Sequence, residues 1–478
     1  MLKLTGTLRV LLAGLAFCCA TATAQAQNFT PQVNSYIKTK ANVIALTDAK
    51  VIDGTGKPAK AHQTVILRDG KIEQVGDTKK VKVPKDAEVI NCSGKTLIPG
   101  LVMVHEHLYY TMPMEGFFNI AEMPGTFPKL YLAGGATTIR TAGSIEPQTD
   151  LALKQLIAEG KLVGPDMDVT APYIERKVFD IPALNTVKDS NDAAETVNFW
   201  ADRGCTSFKM YMHATKDDLK AVVREAHQRN LKVTGHLCSI TYREAAELGI
   251  DNLEHGFMAS TDFVANKKEN ECPDAARQSL LDLEVNSPKM RSLQQFLISK
   301  GVAVTSTLPV FEPYSGREAV LGGGEAALLP EVRETIINRW KAAQGKDSLS
   351  IALFNKELAW EKQFYDAGGL LVAGTDPTGA GRTIAGYSNQ RQVELLVEGG
   401  FSLAEAIKIC TLNGATYLDR ANTIGTIEKG KQADLVLING DLEKDIKQIR
   451  KMETVFKNGV GFDSQKIFDS VKGKVGLN

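Results

Sequence analysis

Short apolar runs alternate with amphipathic segments through the middle of the chain. The patterns at 216–229 and 242–248 are the clearest predicted helices, because their apolar residues recur at helical spacing. Alternation of strands and helices indicates a parallel sheet covered by helices. The apolar runs predict eight strands, at 100–104, 136–140, 167–170, 206–211, 232–236, 252–254, 302–308 and 370–374.

Eight such units within residues 99–422 predict an α/β fold, a (β/α)8 TIM barrel with insertions. An open, doubly wound sheet is the alternative, but no Gly-x-Gly-x-x-Gly motif follows the first predicted strand. The segments 260–300 and 312–368 are longer than a barrel connection requires. They follow the sixth and seventh strands, so they would form a lid over the C-terminal face, ordinary packing helices or an oligomer contact.

Both ends of the mature chain have β-like patterns. Asp69-Gly70 separates two short apolar runs, and Asn458-Gly459 follows another, and both dipeptides are typical of hairpin turns. The two terminal segments, 27–98 and 423–478, therefore predict one small β-sandwich domain built from both ends. The strands predicted there are 43–47, 64–68, 71–75, 88–91, 434–438 and 451–457.

The first 26 residues predict a secretory signal peptide. Lys3 and Arg9 give a positive start, an apolar run covers 10–19, and Ala24-Gln25-Ala26 is a small-x-small cleavage site. A lipoprotein anchor is the alternative, disfavoured by the bulky Phe17 before Cys18. We therefore expect an exported protein, periplasmic or secreted, with no membrane attachment after cleavage.

The amino-acid composition of the chain disfavours some classes of function. The chain has 478 residues, with 56 Lys and Arg against 56 Asp and Glu, so nothing predicts a nucleic-acid partner. The sequence leaves the oligomeric state open, a homo-oligomer included.

After cleavage the cysteines are few and scattered, so one disulfide of unspecified pairing is compatible with the sequence and most are expected to be buried thiols. They are Cys92, Cys205, Cys238, Cys272 and Cys410.

His105-Glu106-His107 ends the first predicted barrel strand. Residues two apart on a strand point the same way, so the two imidazoles can reach one metal ion while Glu106 faces away. Imidazole is a ligand that suits zinc. The tripeptide therefore predicts half of a metal-binding site.

Four further residues with metal-binding chemistry lie at the predicted ends of other strands, where TIM barrels place their catalytic groups. They are Lys209, His236, His255 and Asp376. Taken singly, the histidines are compatible with hydrogen-bonded core residues and Asp376 with a loop cap. A buried lysine is costly, so Lys209 is either salt-bridged or has a lowered pKa that lets its amine capture carbon dioxide as a metal-bridging carbamate.

These motifs resemble the metal-dependent amidohydrolase superfamily, and within it the imidazolonepropionase-like group that includes Xaa-Pro dipeptidases. The resemblance covers almost all of the mature chain. Besides His105-Glu106-His107, it rests on the segments 97–101, 135–140, 208–211, 235–236, 253–256, 374–376, 413–415 and 425–436.

The resemblance implies a binuclear centre. His105, His107 and Asp376 would hold one divalent metal ion, and His236 and His255 the other. Lys209, carried as N6-carboxylysine, would bridge the two ions, which we expect to be zinc. The chain departs from relatives at Cys238, where an aromatic residue or second histidine is common, and at Thr141, where an acidic residue is common.

The expected reaction is hydrolysis of a carbon–nitrogen amide bond in a dipeptide or N-acyl amino acid. A hydroxide bridging the two metals would attack the carbonyl, with Asp376 as the proton carrier to the leaving nitrogen. Tyr211, two residues beyond Lys209, would donate to the oxyanion or simply pack at the barrel rim. Arg140, or less favourably Arg176 or Arg382, would bind a substrate carboxylate, with a structural ion pair as the alternative.

Other functions remain as alternatives. A cyclic-amide hydrolase or deaminase of the superfamily would use one metal and no modified lysine. A lactonase or phosphotriesterase would use the same ligands. A binding module would have lost ligands, and a structural protein would show repeats or low complexity, neither of which is evident.

Overall fold

The structure is a computed structural model that describes residues 28–113, 118–177, 181, 184–315, 317, 323–343 and 348–476. The predicted signal peptide, 1–26, lies outside the described residues. The strands are β1 Ile37–Thr39, β2 Val43–Val51, β3 Lys60–Arg68, β4 Lys71–Asp77, β5 Glu88–Asn91, β6 Thr96–Pro99, β7 Leu101–Glu106, β8 Tyr109–Pro113, β9 Phe118–Glu122, β10 Ala136–Thr141, β11 Asp166–Asp168, β12 Ser207–Met210, β13 Lys232–Gly235, β14 Asn252–Glu254, β15 Ala303–Ser306, β16 Leu371–Ala373, β17 Leu435–Ile438, β18 Met452–Lys457 and β19 Val460–Asp463.

Helices lie between most of these strands. The α-helices are α1 Pro31–Asn34, α2 Phe127–Ala133, α3 Pro147–Ala158, α4 Ser190–Ala201, α5 Lys216–Gln228, α6 Tyr242–Glu247, α7 Ala276–Asp282, α8 Pro288–Ser299, α9 Leu308–Phe311, α10 Pro330–Ala343, α11 Ser348–Asp366, α12 Tyr387–Glu398, α13 Leu403–Lys408, α14 Gly414–Tyr417 and α15 Ser464–Ser470. Short 3-10 turns cover Glu312–Tyr314, Gly324–Ala327, Gly379–Gly381 and Ile446–Arg450, and a π-helical turn covers Ile409–Asn413.

The two terminal segments form one continuous nine-stranded sheet, in the order β1-β19-β18-β17-β6-β2-β3-β4 with β5 beside β2. Strand β6 joins the two ends of the chain, because it pairs antiparallel with β17 and parallel with β2. The sequence predicted one small β-sandwich domain from these two segments. The apolar segment Leu97–Ile98 hydrogen-bonds to strands from both termini and so joins their strands into one sheet. The sandwich arrangement of that sheet stays a prediction.

The middle of the chain forms two parallel sheets, β7-β10-β11 and β12-β13-β14-β15-β16, which correspond to the eight predicted strands. Parallel bridges from Thr170 to Ser207 and from Ile174 to Met210 connect the two sheets on one side. On the other side the backbone N–H groups of Thr375 and Asp376 both donate to the His105 carbonyl. The ends of the first and last parallel strands are therefore hydrogen-bonded together.

Local sequence fixes where the helices between these strands begin. Thr215 and Asp218 form a capping box at the start of α5, and Thr241 and Glu244 form another at the start of α6. Such boxes satisfy backbone N–H groups that lack helical partners. The loops after β12 and β13 are therefore anchored immediately beyond the strand ends.

The two long insertions differ from a simple lid. Residues 260–300 contain α7 and α8, and 312–368 contain α10 and α11. In α11 the side chains of Glu357, Trp360 and Phe364 are buried, so this helix packs against the parallel strands and their connections. A hairpin that the sequence pattern did not predict, β8 and β9, follows the first parallel strand and forms part of the wall described below.

A disulfide joins Cys238, in the loop after β13, to Cys272 in the first insertion. Sequence left this pairing open. Cys92, Cys205 and Cys410 are buried free thiols, as expected for most cysteines here. Within the described residues, every helix is too short or too polar to cross a lipid bilayer.

Candidate metal centre

The six predicted metal-binding side chains converge at the carboxyl ends of the parallel strands. His105 and His107 come from the end of β7, Lys209 from β12, and His236, His255 and Asp376 follow β13, β14 and β16. The structure brings all six, together with Tyr211, to one cavity of about 270 Å³. Glu106 is fully buried outside this lining and accepts hydrogen bonds from Thr375 and Asn389.

His105, His255 and the Asp376 carboxylate lie close enough together to share one metal ion. His105, His255 and Asp376 each offer a ligand atom within 4.8 Å of the other two. Asp376 Oδ1 lies 3.2 Å from His107 Nε2, and Asp376 Oδ2 lies 3.9 Å from His105 Nε2. The rings of His236 and His255 are 4.4 Å apart between centroids.

Hydrogen bonds at Nδ1 orient the histidine rings. His105 Nδ1 donates to Glu254 at 2.5 Å, and His107 Nδ1 donates to the Gly143 carbonyl at 3.2 Å. Partners of this kind fix the tautomer and leave Nε2 for a metal. The Nε2 atoms of His105 and His107 accordingly face Asp376.

The backbone at the carboxyl ends of these parallel strands adopts rare dihedral angles. His255 and Asp376 have positive φ values of 68° and 46°, a conformation that non-glycine residues adopt rarely and mostly where surrounding structure enforces it. Gly374 provides the space for His105, because a Cβ at residue 374 would lie 2.3 Å from His105 Cβ. The close approach of β16 to β7 thus requires a glycine.

Burial lowers the pKa of three of the predicted nitrogen ligands. Desolvation lowers the pKa of His105 to about 4, that of His236 to about 3 and that of Lys209 to about 8. Burial alone would raise the pKa of Asp376, but His107, in contact with the carboxylate, and the other neighbouring imidazoles hold it well below its usual value. Imidazoles, a carboxylate and an amine with a lowered pKa are a donor set that fits divalent metal ions.

Arg140, the predicted substrate contact, lies elsewhere. It is 1% exposed, donates to Glu254 and to the Val104 carbonyl, each at 2.7 Å, and is not part of the cavity lining. The geometry therefore favours the structural ion pair over a bond to substrate. Arg176 is likewise paired with Asp218. Arg382 donates to the backbone carbonyls of Gly379 and Pro313 and is not itself a lining residue.

Sequence reasoning missed most of the cavity wall. Tyr109 and Tyr173 line it, with their hydroxyl oxygens 2.7 Å apart. Tyr109 lies two residues beyond His107, which was an available signal, whereas Tyr173 follows an irregular segment that gave none. The other wall residues are Thr111, Ile120, Ile145, Ile181, Leu184, Val310, Phe311, Tyr314, Thr378, Gly379 and Ala380.

Comparisons with known proteins agree with this geometry. Residues 355–461 match the Amidohydrolase family. An imidazolonepropionase from Geobacillus sp. (strain WCH70) is 24% identical over 428 residues, 83% of this chain and 89% of that protein. Over most of its length the chain is similar to proteins of the amidohydrolase superfamily. These matches support a hydrolase that acts on carbon–nitrogen bonds.

Other proteins that are similar to this chain carry the names of different enzymes. A 5-methylthioadenosine/S-adenosylhomocysteine deaminase from Shouchella clausii (strain KSM-K16) is 23% identical, covering 84% of each chain. Among solved structures, an Xaa-Pro dipeptidase with methionine in its active site has a TM-score of 0.64 at 18% identity, covering 88% of this chain and all of that one. Bottromycin amidohydrolase has a TM-score of 0.66 at 18% identity, covering 92% of each chain. These structural likenesses imply a TIM barrel with an additional domain.

Proposed function

We propose that this protein cleaves an amide bond in a peptide or N-acyl amino acid derivative, at a centre that holds two divalent metal ions. The observation that carries the proposal is the convergence of four imidazoles, Lys209 and Asp376 at one end of a single cavity. We further propose that the eight parallel strands close as a (β/α)8 barrel, since hydrogen bonds or bridges connect both pairs of sheet edges.

The proposed ligand assignment is the one that the family resemblance implies. His105, His107 and Asp376 would hold one ion, His236 and His255 the other, with Lys209 shared as its carbamate. Imidazole-rich sites suit zinc. Divalent ions bound there would lower the pKa of water toward neutrality and polarise a substrate carbonyl.

The protein's own groups would then move the protons. Asp376 is held deprotonated beside His107, so it can accept a proton from the attacking water and deliver it to the leaving nitrogen. Tyr211 lines the same cavity, and burial raises the pKa of its hydroxyl, which therefore stays protonated. A protonated hydroxyl there can donate to the developing oxyanion.

Hydrolysis of a cyclic amide is the second candidate, because full-length relatives include imidazolonepropionases. Lys209 distinguishes the two candidates, since a single-metal cyclic-amide hydrolase has no need of a buried lysine among its ligands. We also propose that the protein is exported, and the Cys238–Cys272 disulfide supports this because such bonds persist in oxidising compartments.

The test is to load the purified protein with zinc, measure metal content, and screen dipeptides, N-acyl amino acids and their neutral derivatives for released amine. We expect two metals per chain and turnover of linear amides. Full activity with one metal or none would contradict the binuclear centre. Turnover of cyclic amides alone would favour the second candidate.

A further inference from the structure

The cavity wall above the metal-binding residues carries no formal charge. Among the described lining residues, the ionisable groups other than tyrosine are Lys209, the four histidines and Asp376, and all of these belong to the metal centre. A buried carboxylate is costly unless a cation or several N–H donors satisfy it. A substrate carboxylate next to the scissile bond would find no cationic side chain on the described wall.

The arginines expected to bind such a carboxylate are engaged elsewhere. Arg140 and Arg176 form ion pairs with Glu254 and Asp218. Arg382 is not among the lining residues; its guanidinium lies 4.1 Å from the centroid of the Tyr314 ring and donates to the carbonyls of Gly379 and Pro313. The expectation of a C-terminal carboxylate therefore loses the residue on which it mainly depended.

The wall is instead largely apolar. The apolar side chains come from several connections: Ile120 from the β8–β9 hairpin, Ile145 after β10, Leu184 after β11, and Val310 and Phe311 after β15. Burial of apolar substrate surface against such a wall is favourable in proportion to its area. The cavity of about 270 Å³ exceeds the roughly 150 Å³ that holds a benzene molecule in a buried apolar cavity. It therefore has room for an aromatic or branched group beside the amide.

The polar groups of this wall are neutral hydroxyls. Thr111 is 7% exposed and lines the cavity, and its Oγ1 has no hydrogen-bond partner among the residues that the structure describes. An unpartnered buried hydroxyl is costly unless a ligand satisfies it. In the Tyr109–Tyr173 pair one hydroxyl donates to the other, which leaves a second hydrogen for a further acceptor. Both features suit an uncharged oxygen or nitrogen of the substrate.

We propose that the substrates are uncharged hydrophobic amides, with an aromatic or branched aliphatic group beside the scissile bond, and that a free carboxylate at that place is selected against. The inference rests on the proposed amide hydrolysis and names its substrate class. It assigns the apolar wall and the Thr111 hydroxyl as the specificity-determining elements.

The experiment compares matched substrates on the zinc-loaded protein. N-acyl phenylalanine and N-acyl phenylalaninamide differ only in the terminal carboxylate, and the glycine analogues remove the ring. Each of these substrates is tested with an acetyl, a benzoyl or an aminoacyl group on its nitrogen. Turnover is measured as release of the acyl product. We expect kcat/KM to be at least about tenfold higher for the phenylalaninamides than for either the free acids or the glycinamides.

Variants of the wall provide the second measurement. Ile145 lies at the partly exposed rim, so Ile145→Lys can place an ammonium group in the cavity while Ile145→Gln serves as the neutral control. Ile145→Lys should raise the ratio of free-acid to amide turnover, and Ile145→Gln should not. Thr111→Val should raise KM for the neutral substrates without lowering thermal stability, because the hydroxyl has no partner in the described part of the free protein.

Three outcomes would overturn the inference. Equal or faster turnover of the free acids would refute the selection against carboxylates. A specific loss of free-acid turnover in Arg382→Ala would identify that guanidinium as a carboxylate anchor. Faster turnover of the glycinamides would refute the apolar wall as the recognition surface. Absence of turnover across the whole panel, acids and amides alike, would count against the proposed amide hydrolysis itself.

Discussion

The carboxylate of Glu254 lies between His105 and Arg140, one oxygen 2.5 Å from His105 Nδ1 and the other 2.7 Å from Arg140 Nη2. All three side chains are buried. Burial alone would raise the pKa of Glu254, but His105 and Arg140 hold it well below its usual value. Glu254 is thus a positioning residue that fixes the tautomer and orientation of a predicted metal ligand.

We expect Glu254→Gln to weaken metal binding by about 10–100-fold, the range typical for loss of a partner behind a ligating histidine. The amide keeps the shape but removes the charge that orients His105 and neutralises Arg140. Chelator competition with a metal-sensitive dye measures the affinity. Glu247→Gln, at an exposed position of α6, is the matched control. Unchanged affinity in Glu254→Gln would contradict the positioning role.

We expect Lys209→Ala to abolish activity and to lower metal content toward one ion per chain, because the shared ligand is lost. Short carboxylates such as acetate or propionate should restore part of the activity by occupying the vacated volume. Metal analysis and turnover, with and without carboxylate, measure both effects. Lys220→Ala, exposed on α5, should behave as wild type. Wild-type turnover in Lys209→Ala would remove the carbamate from the mechanism.

We expect Gly374→Ala to displace His105 and to reduce metal affinity together with stability. The new Cβ would lie 2.3 Å from His105 Cβ and 2.7 Å from its backbone nitrogen, closer than real contacts allow. Thermal denaturation with and without zinc separates the two effects, since metal stabilisation should shrink in the variant. Gly125→Ala, where a Cβ would meet nothing within 4 Å, is the control. Equal zinc stabilisation in both variants would show that the backbone adapts.

We expect the Cys238→Ser/Cys272→Ser double variant to lose roughly 3–4 kcal/mol of unfolding free energy, from the entropy of the loop that the bond closes. The two cysteines are 34 residues apart. Chemical denaturation without reductant measures the loss. Reductant should bring the wild type to the stability of the double variant and leave the variant unchanged. If the unfolding free energy of the wild type is the same with and without reductant and equals that of the double variant, the bond contributes little to stability.

We expect Asp150→Asn to stabilise the protein at alkaline pH. Burial raises the pKa of Asp150 to about 7 from an ordinary value of 3.8. A raised pKa means that folding favours the protonated acid, so its contribution to stability is complete below pH 4 and is lost as the pH rises to 7. The advantage of the variant should be about 2–4 kcal/mol at pH 8 and should vanish near pH 4.

Denaturation curves of wild type and Asp150→Asn at pH 4, 6 and 8 isolate this group from other buried acids. Asparagine retains an acceptor for the Ser144 hydroxyl. Asp217→Asn, exposed in the first turn of α5, should show no such pH-dependent gain. A difference that is constant across pH would mean that Asp150 does not titrate in this range.

Sequence was sufficient for the positions of the eight parallel strands and for the convergence of the predicted ligands, because apolar runs that end near His, Lys or Asp indicate both. It did not predict the β8–β9 hairpin. It could not assign Arg140, since whether a strand-end guanidinium meets substrate or Glu254 depends on the approach of a strand more than a hundred residues away. The Cys238–Cys272 pairing and the wall residues Thr111 and Tyr173 also depend on tertiary contacts. Local sequence patterns do not specify such contacts.

The bonds from the Thr375 and Asp376 amides to the His105 carbonyl join the end of the last parallel strand to the end of the first. Because one proposed ion would draw its ligands from the first and last of the eight parallel strands, that ion could not be bound while the chain is still being synthesised. Loading must await completion of the last strand. A chain that crosses a membrane unfolded would therefore acquire this ion at its destination rather than at its place of synthesis.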